Sequence, residues 1–367
     1  MVVVIVQRVV MPVTSSVSWT VLGDDGGPVE PVESFLTYLA ALERSPNTQR
    51  AYSVSLKFWF EFLSRGGVAW DVAQVDHVAR FVSWLRAPAD NVVVLDSGTA
   101  LRSPATVNRH LAAVFGFYEF HARSGVEVAS GLVAWRRMGR GTYKPFLHHV
   151  TRGRPIATRP IKLAVPRRAP RTLTAEEVVM VLTAPTRARD RFLLALLAET
   201  GMRIGQALGL RHADFVSRAK EVRIVPRADN ANGARAKLRS PATIPVTAGL
   251  VRCYSDFMHT EYGGIDSDYV FVNLWAGRIG APMTYATVHE MVARIRAITG
   301  VEFTLHMLRH THATELIRSG VAIEVVARLL THQSSTTTSQ IYVHLDATDV
   351  REALHRAGVW DRAEPVS

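Results

Sequence analysis

Three segments of the 367-residue sequence set basic and hydroxyl-bearing residues into otherwise apolar helical stretches. The first is TGMRIGQALGLRHADF, residues 200–215. Arg203 follows the helix breaker Gly201 and precedes apolar Ile204, Ala207, Leu208 and Leu210. An arginine beside core residues is costly unless paired. Taken alone, it reads as a cap on the preceding helix or as the partner of an acid. The second is TLHMLRHTHATELIRSG, residues 304–320, where the spacing puts His306 and Arg309 on one helix face. His306 and His310 are four apart, which raises a metal site. No glutamate completes an H-E-x-x-H arrangement, there is no cysteine pair, and an arginine on that face repels a cation. No metal is therefore expected. The third is LLTHQSSTTTSQIYVHL, residues 329–345, with His332, a Ser/Thr-rich run, Tyr342 and His344. Alone, Tyr342 reads equally well as a core tyrosine with a satisfied hydroxyl.

Together the three segments resemble the catalytic boxes of the tyrosine recombinases, the phage-integrase and Xer-like family. The matching stretches are Thr200-Gly201-Met202-Arg203, His306-Met307-Leu308-Arg309-His310, and Leu329-Leu330-Thr331-His332 to Tyr342-Val343-His344. The family's hairpin lysine has its counterpart in Lys237, eight residues before Pro245. By motif the resemblance spans roughly 172–357. By architecture it extends to 30–126, where SPNTQRAYSVSLKFWFEFL looks like the family's helical core-binding domain. Three departures stand out. Gln206 replaces the usual glutamate, Thr331 replaces the usual glycine before His332, and His332 and Tyr342 are ten residues apart where nine is usual.

The chemistry implied is phosphodiester cleavage and rejoining. The pentavalent transition state concentrates charge on the non-bridging oxygens, which Arg203 and Arg309 can hold through forked hydrogen bonds. A phenol is a weak nucleophile at neutral pH, so Tyr342 must lose its proton as it attacks. By resemblance, His306 takes the base role or orders the site, Lys237 is the general acid for the leaving 5′-oxygen, and His332 bonds the scissile phosphate. The product is a 3′-phosphotyrosine that a second 5′-hydroxyl can reverse without ATP, cofactor or metal. The resemblance further implies double-stranded DNA with specific core sites as partner, a homotetramer on DNA and accessory recombination factors. Within the family, DNANGARAK and TTTSQIYVHLDATDVR look more like transposon and integrative-element recombinases than like chromosomal resolving enzymes. A Xer-like resolving enzyme, a type IB-like topoisomerase and a non-catalytic DNA clamp are the other readings.

These residues need two bodies to hold them. Hydrophobic residues make up 48% and charged residues 20% of the chain, a globular composition. The net charge of +11 favours a polyanionic partner. One cysteine, Cys253, excludes an internal disulfide and fits a reducing cytoplasm, with the nucleoid as workplace. Cys253 sits in the helix-like VRCYSDFM and reads as a buried structural thiol. The apolar start, MVVVIVQRVVMPV, is too short to span a bilayer and is interrupted by Arg8, so a strand or packed arm is expected and no membrane.

The expected fold has two domains: an N-terminal all-α, four-helix, SAM-like core-binding domain, and a mainly helical α+β catalytic domain with a small antiparallel sheet. Residues 1–29 form an arm and 30–126 the helical domain. Its faces are Phe35, Leu36, Leu39 and Leu42; Tyr52, Leu56, Trp59, Phe60 and Leu63; Val78, Phe81, Val82 and Leu85 with Asp76 as cap; and Val107, Leu111, Val114 and Tyr118 after Ser103-Pro104. The helical domain begins near residue 30, which leaves little room for an arm-binding domain and points to core sites alone.

Residues 127–171 form a basic linker, 172–357 the catalytic domain and 358–367 a tail. In the catalytic domain, Thr174 to Glu177 is a capping box and Phe192 to Leu197 a buried helix. Strand character falls at 221–225, 242–246 and 268–273, and helices are expected at 306–318, 322–330 and 346–357. The apolar Val359 and Trp360 suit delivery of residues 346–367 to a neighbouring subunit or docking on their own domain.

From Gly131 to Arg171 the linker carries eleven Lys and Arg and no acid. Its Arg136, Arg137, Lys144, Arg152, Arg154, Arg167 and Arg168, with Arg50 and Arg109 of the helical domain, are the expected DNA contacts. One-signed charge over such a span suits a strap along phosphates, closing a clamp around duplex DNA. Neutralising Arg152, Arg154, Arg167 and Arg168 together is expected to flatten the slope of log affinity against log salt. An unchanged slope would leave the segment a plain linker.

Overall fold

A computed structural model of the chain describes residues 4–10, 17–87, 102–136, 156–158, 160–166, 170–238 and 240–331; residues 130, 134–136 and 156–158 are described as backbone alone. The chain divides into two compact units, residues 1–167 and 168–367.

The first unit opens with an antiparallel hairpin of β1 (Ile5–Val10) and β2 (Val17–Leu22), with Ile5 opposite Leu22. Four helices follow: α1 (Glu30–Ala41), α2 (Pro46–Arg65), α3 (Val75–Arg86) and α4 (Pro104–Arg123). The strands β3 (Ala134–Arg136) and β4 (Ile156–Thr158) then pair antiparallel. Two helices begin on the same local signal. In each, a serine hydroxyl accepts from the third helical N–H, Ser45 from Thr48 and Ser103 from Thr106, and proline takes the first helical position. The core is aromatic. Trp59, Phe81, Phe117 and Tyr118 are fully buried, the Trp59 indole donates to the Tyr118 hydroxyl at 3.1 Å, and that hydroxyl donates to the Trp70 carbonyl at 2.7 Å.

The four expected helical faces are present, with two corrections. Leu42 is the C-cap of α1 and is exposed. Asp76 does not cap α3. Gln74 does, with His77 Nδ1 accepting from the Gln74 N–H at 3.0 Å, while Asp76 pairs with Arg80 at 2.7 Å. The apolar N-terminal stretch is a strand, but its partner at 17–22 went unread in the sequence. Val4 and Val21 join the core of this unit. Part of the basic segment packs here too, since Asn108 exchanges two hydrogen bonds with the Leu163 backbone, at 2.9 and 2.8 Å.

The second unit begins with α5 (Ala175–Thr183), opened by the expected capping box of Thr174 and Glu177. The buried α6 (Ala188–Thr200) and the single turn α7 (Ile204–Ala207) follow. β5 (Phe215–Val216), β6 (Glu221–Ile224) and β7 (Ala242–Pro245) form an antiparallel sheet in sequence order. α8 (Ala248–Phe257) runs into a π turn at Met258–Tyr262 and carries Cys253, which is half-buried against the core. Then come α9 (Tyr285–Thr299), α10 (Leu305–Arg318) and α11 (Ile323–Leu329).

The expected strand at 268–273 is not one. Its backbone is satisfied piecemeal: Val270 donates to Leu210, while Phe271 accepts from Met283. A fully buried apolar run gives no period to separate a strand from a buried coil. The helix expected at 346–357 lies outside the described residues.

His110 in α4 is buried, with Nδ1 3.0 Å from the Ser55 hydroxyl. Burial, then the nearby Arg109 and Arg102, lower its pKa to about 4. The unfolded chain, with an ordinary histidine, therefore binds the proton more readily. Stability is complete above pH 6.5 and declines as pH falls toward 4, by about 3 kcal/mol from this group. Urea titrations of His110→Gln from pH 7 to 4 are expected to show a shallower acid slope than the parent. Equal slopes would assign the loss to other groups.

Candidate nucleic-acid cleavage site

The site is assembled from α6, the hairpin between β6 and β7, α10 and the end of α11. α6 stops at Gly201, whose φ of +61° turns the chain left-handed. A Cβ there would lie 2.7 Å from Leu330 and 2.8 Å from His312, so the glycine also lets two helices close on the turn. Arg203 comes next as the half-buried N-cap of α7. Gln206 in that turn accepts from the Arg203 N–H at 2.7 Å.

The connection from β6 to β7 is pinned by two asparagines. Asn230 donates to the Ala234 carbonyl, and Asn232 donates to the carbonyls of Leu208 and Met283. The turn thus held presents Lys237, exposed and at a positive φ of +52°. The lysine stands in the connection between the paired strands β6 and β7, where the family resemblance put it.

α10 is capped by Thr304, whose hydroxyl accepts from the Met307 N–H. His306 in its first turn is exposed, whereas Arg309 is buried at 2% exposure. Arg309 donates to the carbonyls of Gly201 and Leu330, both at 2.6 Å. This one side chain therefore joins the turn after α6 to the end of α11. Thr331 follows directly, buried and at φ +54°. A β-branched residue in the left-handed region is strained by roughly 1–2 kcal/mol. Its hydroxyl accepts from Gln206 Nε2 at 2.9 Å and from Arg203 at 3.4 Å.

The electrostatics bring the predicted residues together. The His306 pKa is lowered, first by desolvation and then by the charges of Arg309, Arg203 and Lys237. Three cations drawn from three separate segments are thus close enough to act on one imidazole. His310 lies 4.8 Å from His306, ring perpendicular to ring, and its pKa is lowered to about 4 by burial and then by His306 and Arg309. Both rings are neutral at neutral pH. Among the described residues no group of three or more His, Cys, Asp or Glu is placed to hold a metal.

His332 and Tyr342 lie outside the described residues. So do Arg137, Lys144, Arg152, Arg154, Arg167 and Arg168. Arg136 is in β3, Arg109 is exposed on α4, and Arg50 is exposed on α2 with its guanidinium over the Trp19 ring at 5.1 Å. From the sequence, Gln206 and Thr331 stood out as departures from a pattern, while their bond to each other went unread. A β-branched residue in place of glycine was the available signal.

The fold and this cluster define a class: a helical unit followed by a mainly helical unit in which Arg203 and Arg309 meet at the end of α11 and act electrostatically on His306. Comparison with known proteins agrees. The phage integrase family profile matches residues 171–349, and the phage integrase N-terminal SAM-like domain matches 32–125. Transposase A from transposon Tn554 of Staphylococcus aureus is 40% identical over 330 residues, covering 89% of this chain and 91% of that protein. Tyrosine recombinase XerD of Mycobacterium leprae is 31% identical over 350 residues, covering 91% and 96%. A structure of the Tn1549 transposon integrase in complex with transposon right end DNA shares the fold, with a TM-score of 0.62 at 14% identity, covering 89% of this chain and 99% of that one. The chain belongs to the phage integrase family, the tyrosine recombinases, enzymes that cleave and rejoin DNA. Among the described residues, no helix is long and apolar enough to cross a membrane.

Gly201→Ala is expected to lower the unfolding free energy by about 2 kcal/mol or more, since it adds left-handed strain to the overlap with Leu330 and His312. Denaturant titration measures it, and a parental midpoint would mean that the turn relaxes freely.

Proposed function

We propose that this chain is a site-specific recombinase of a mobile element, cutting duplex DNA with Tyr342. The phenol oxygen bonds to the scissile phosphorus and its proton leaves to a base. The bond from phosphorus to the 5′-oxygen breaks, and that oxygen takes a proton from an acid. Arg203 and Arg309 stabilise the charge on the non-bridging oxygens. His306, neutral at neutral pH, serves as base or orders the site, Lys237 is the acid, and His332 bonds the phosphate. A 5′-hydroxyl from a second duplex then reverses the step. The enzyme works in the cytoplasm on core sites as a homotetramer, with accessory factors setting direction.

The observation that carries this reading is the meeting of Arg203 and Arg309 at the end of α11, where Arg309 donates to the Leu330 carbonyl and Arg203 to the Thr331 hydroxyl. Charge of this kind, fixed in advance, is what a phosphoryl transition state requires. The transposase relative, at the higher identity and similar coverage, favours a mobile element over a chromosomal resolving role.

Tyr342→Phe is expected to bind duplex DNA like the parent and to form no covalent adduct on a nicked suicide substrate. An undiminished adduct in that variant would move the nucleophile to another residue.

A further inference from the structure

We infer that Gln206 and Thr331 are a matched, uncharged positioning pair that holds Arg203 and couples the lysine turn to the segment leading into His332. Gln206 is buried, and its amide makes three contacts. Its oxygen accepts from the Arg203 N–H at 2.7 Å, and its nitrogen donates to the Thr331 hydroxyl at 2.9 Å and to the Ala236 carbonyl at 3.3 Å. The partners belong to three stretches far apart in sequence: the Arg203 turn, the residue before Lys237 and the residue before His332. Arg203 also donates from its guanidinium to the same threonine hydroxyl at 3.4 Å, closing a ring of three residues that passes through the Arg203 backbone.

The residue types are matched to this ring. An amide both accepts and donates, whereas a carboxylate of equal length only accepts and would turn an oxygen against the Ala236 carbonyl. Glycine would hold the backbone at φ +54° without strain. What threonine adds is the hydroxyl, and on that oxygen Gln206 and Arg203 meet. The two residues are positioning groups, acting on the phosphate through Arg203.

This inference rests on Tyr342 as nucleophile, so its test has one readout that depends on cleavage and one that does not. In single-turnover cleavage of a nicked substrate by the full-length protein, Thr331→Gly is expected to slow adduct formation about tenfold, the value of a hydrogen bond to a charged group. DNA affinity and the thermal midpoint should not fall, because the backbone strain is relieved. Thr331→Ser, which keeps the hydroxyl, should stay within about twofold of the parent, and Gln206→Glu should be slowed like the glycine variant. The double variant Gln206→Glu, Thr331→Gly should be no slower than the slower single one. Losses that multiply in the double variant, a parental rate for Thr331→Gly, or a serine variant as slow as glycine would each overturn the pairing. Independently of cleavage, hydrogen exchange of the Arg203 amide should quicken in Thr331→Gly. Unchanged exchange would overturn the pairing even in a protein that forms no adduct, and a parent without adduct overturns only the nucleophile.

Discussion

A guanidinium taken out of water is the constraint on which the catalytic unit is built. Arg309 is 2% exposed, and a buried charge is tolerated only where hydrogen bonds replace its lost hydration. The Gly201 and Leu330 carbonyls meet part of that demand. Both carbonyls are at helix ends, where backbone acceptors lack intrahelical partners. One side chain thus satisfies two helix termini and is itself anchored by them. A side chain at 201 would meet the Leu330 and His312 side chains, which close on the same turn. From this point the rest follows in order. The turn fixes where α7 begins, α7 fixes Arg203 and Gln206, and Gln206 reaches the lysine hairpin and the end of α11.

What the sequence discloses depends on how local the governing interaction is. His306 and Arg309 were legible because helical spacing alone puts them on one face. The Ser45-Pro46 and Ser103-Pro104 starts, and the Thr174 to Glu177 box, were legible because a cap is written within four residues. Lys237 was found through the resemblance to a family whose hairpin lysine stands about eight residues before a proline. The strand expected at 268–273 failed for the opposite reason. Its backbone partners, Leu210 and Met283, approach from different segments, and an apolar run carries no record of that. The same holds for the cap of α3, where an exposed Asp76 was the better statistical choice and a Gln74 and His77 pair holds the position. Thr331 was conspicuous by type but silent on cause. Its positive φ and its bond to Gln206 join residues 125 apart in the chain.

Two arginines of this unit are held by acids. Arg189 is buried against the Asp190 carboxylate at 2.7 Å, and Arg227 grips both oxygens of Asp214 at 2.6 and 2.8 Å. In those pairs the acid cancels the cation, leaving a neutral, directional strut. Arg309 instead donates to carbonyls and Arg203 to a hydroxyl. A neutral acceptor orients a guanidinium through a directional hydrogen bond. Protonation of His306 is suppressed first by desolvation and then by the charges of Arg309, Arg203 and Lys237. Like charges held close together repel, and the hydrogen bonds from Arg309 to the Gly201 and Leu330 carbonyls help to fix their geometry. The amide at 206 adds to this by accepting from the Arg203 N–H and donating to the Thr331 hydroxyl. Hydrogen bonds to backbone and side-chain groups thus set the positions of cations whose charges, after desolvation, keep the imidazole unprotonated.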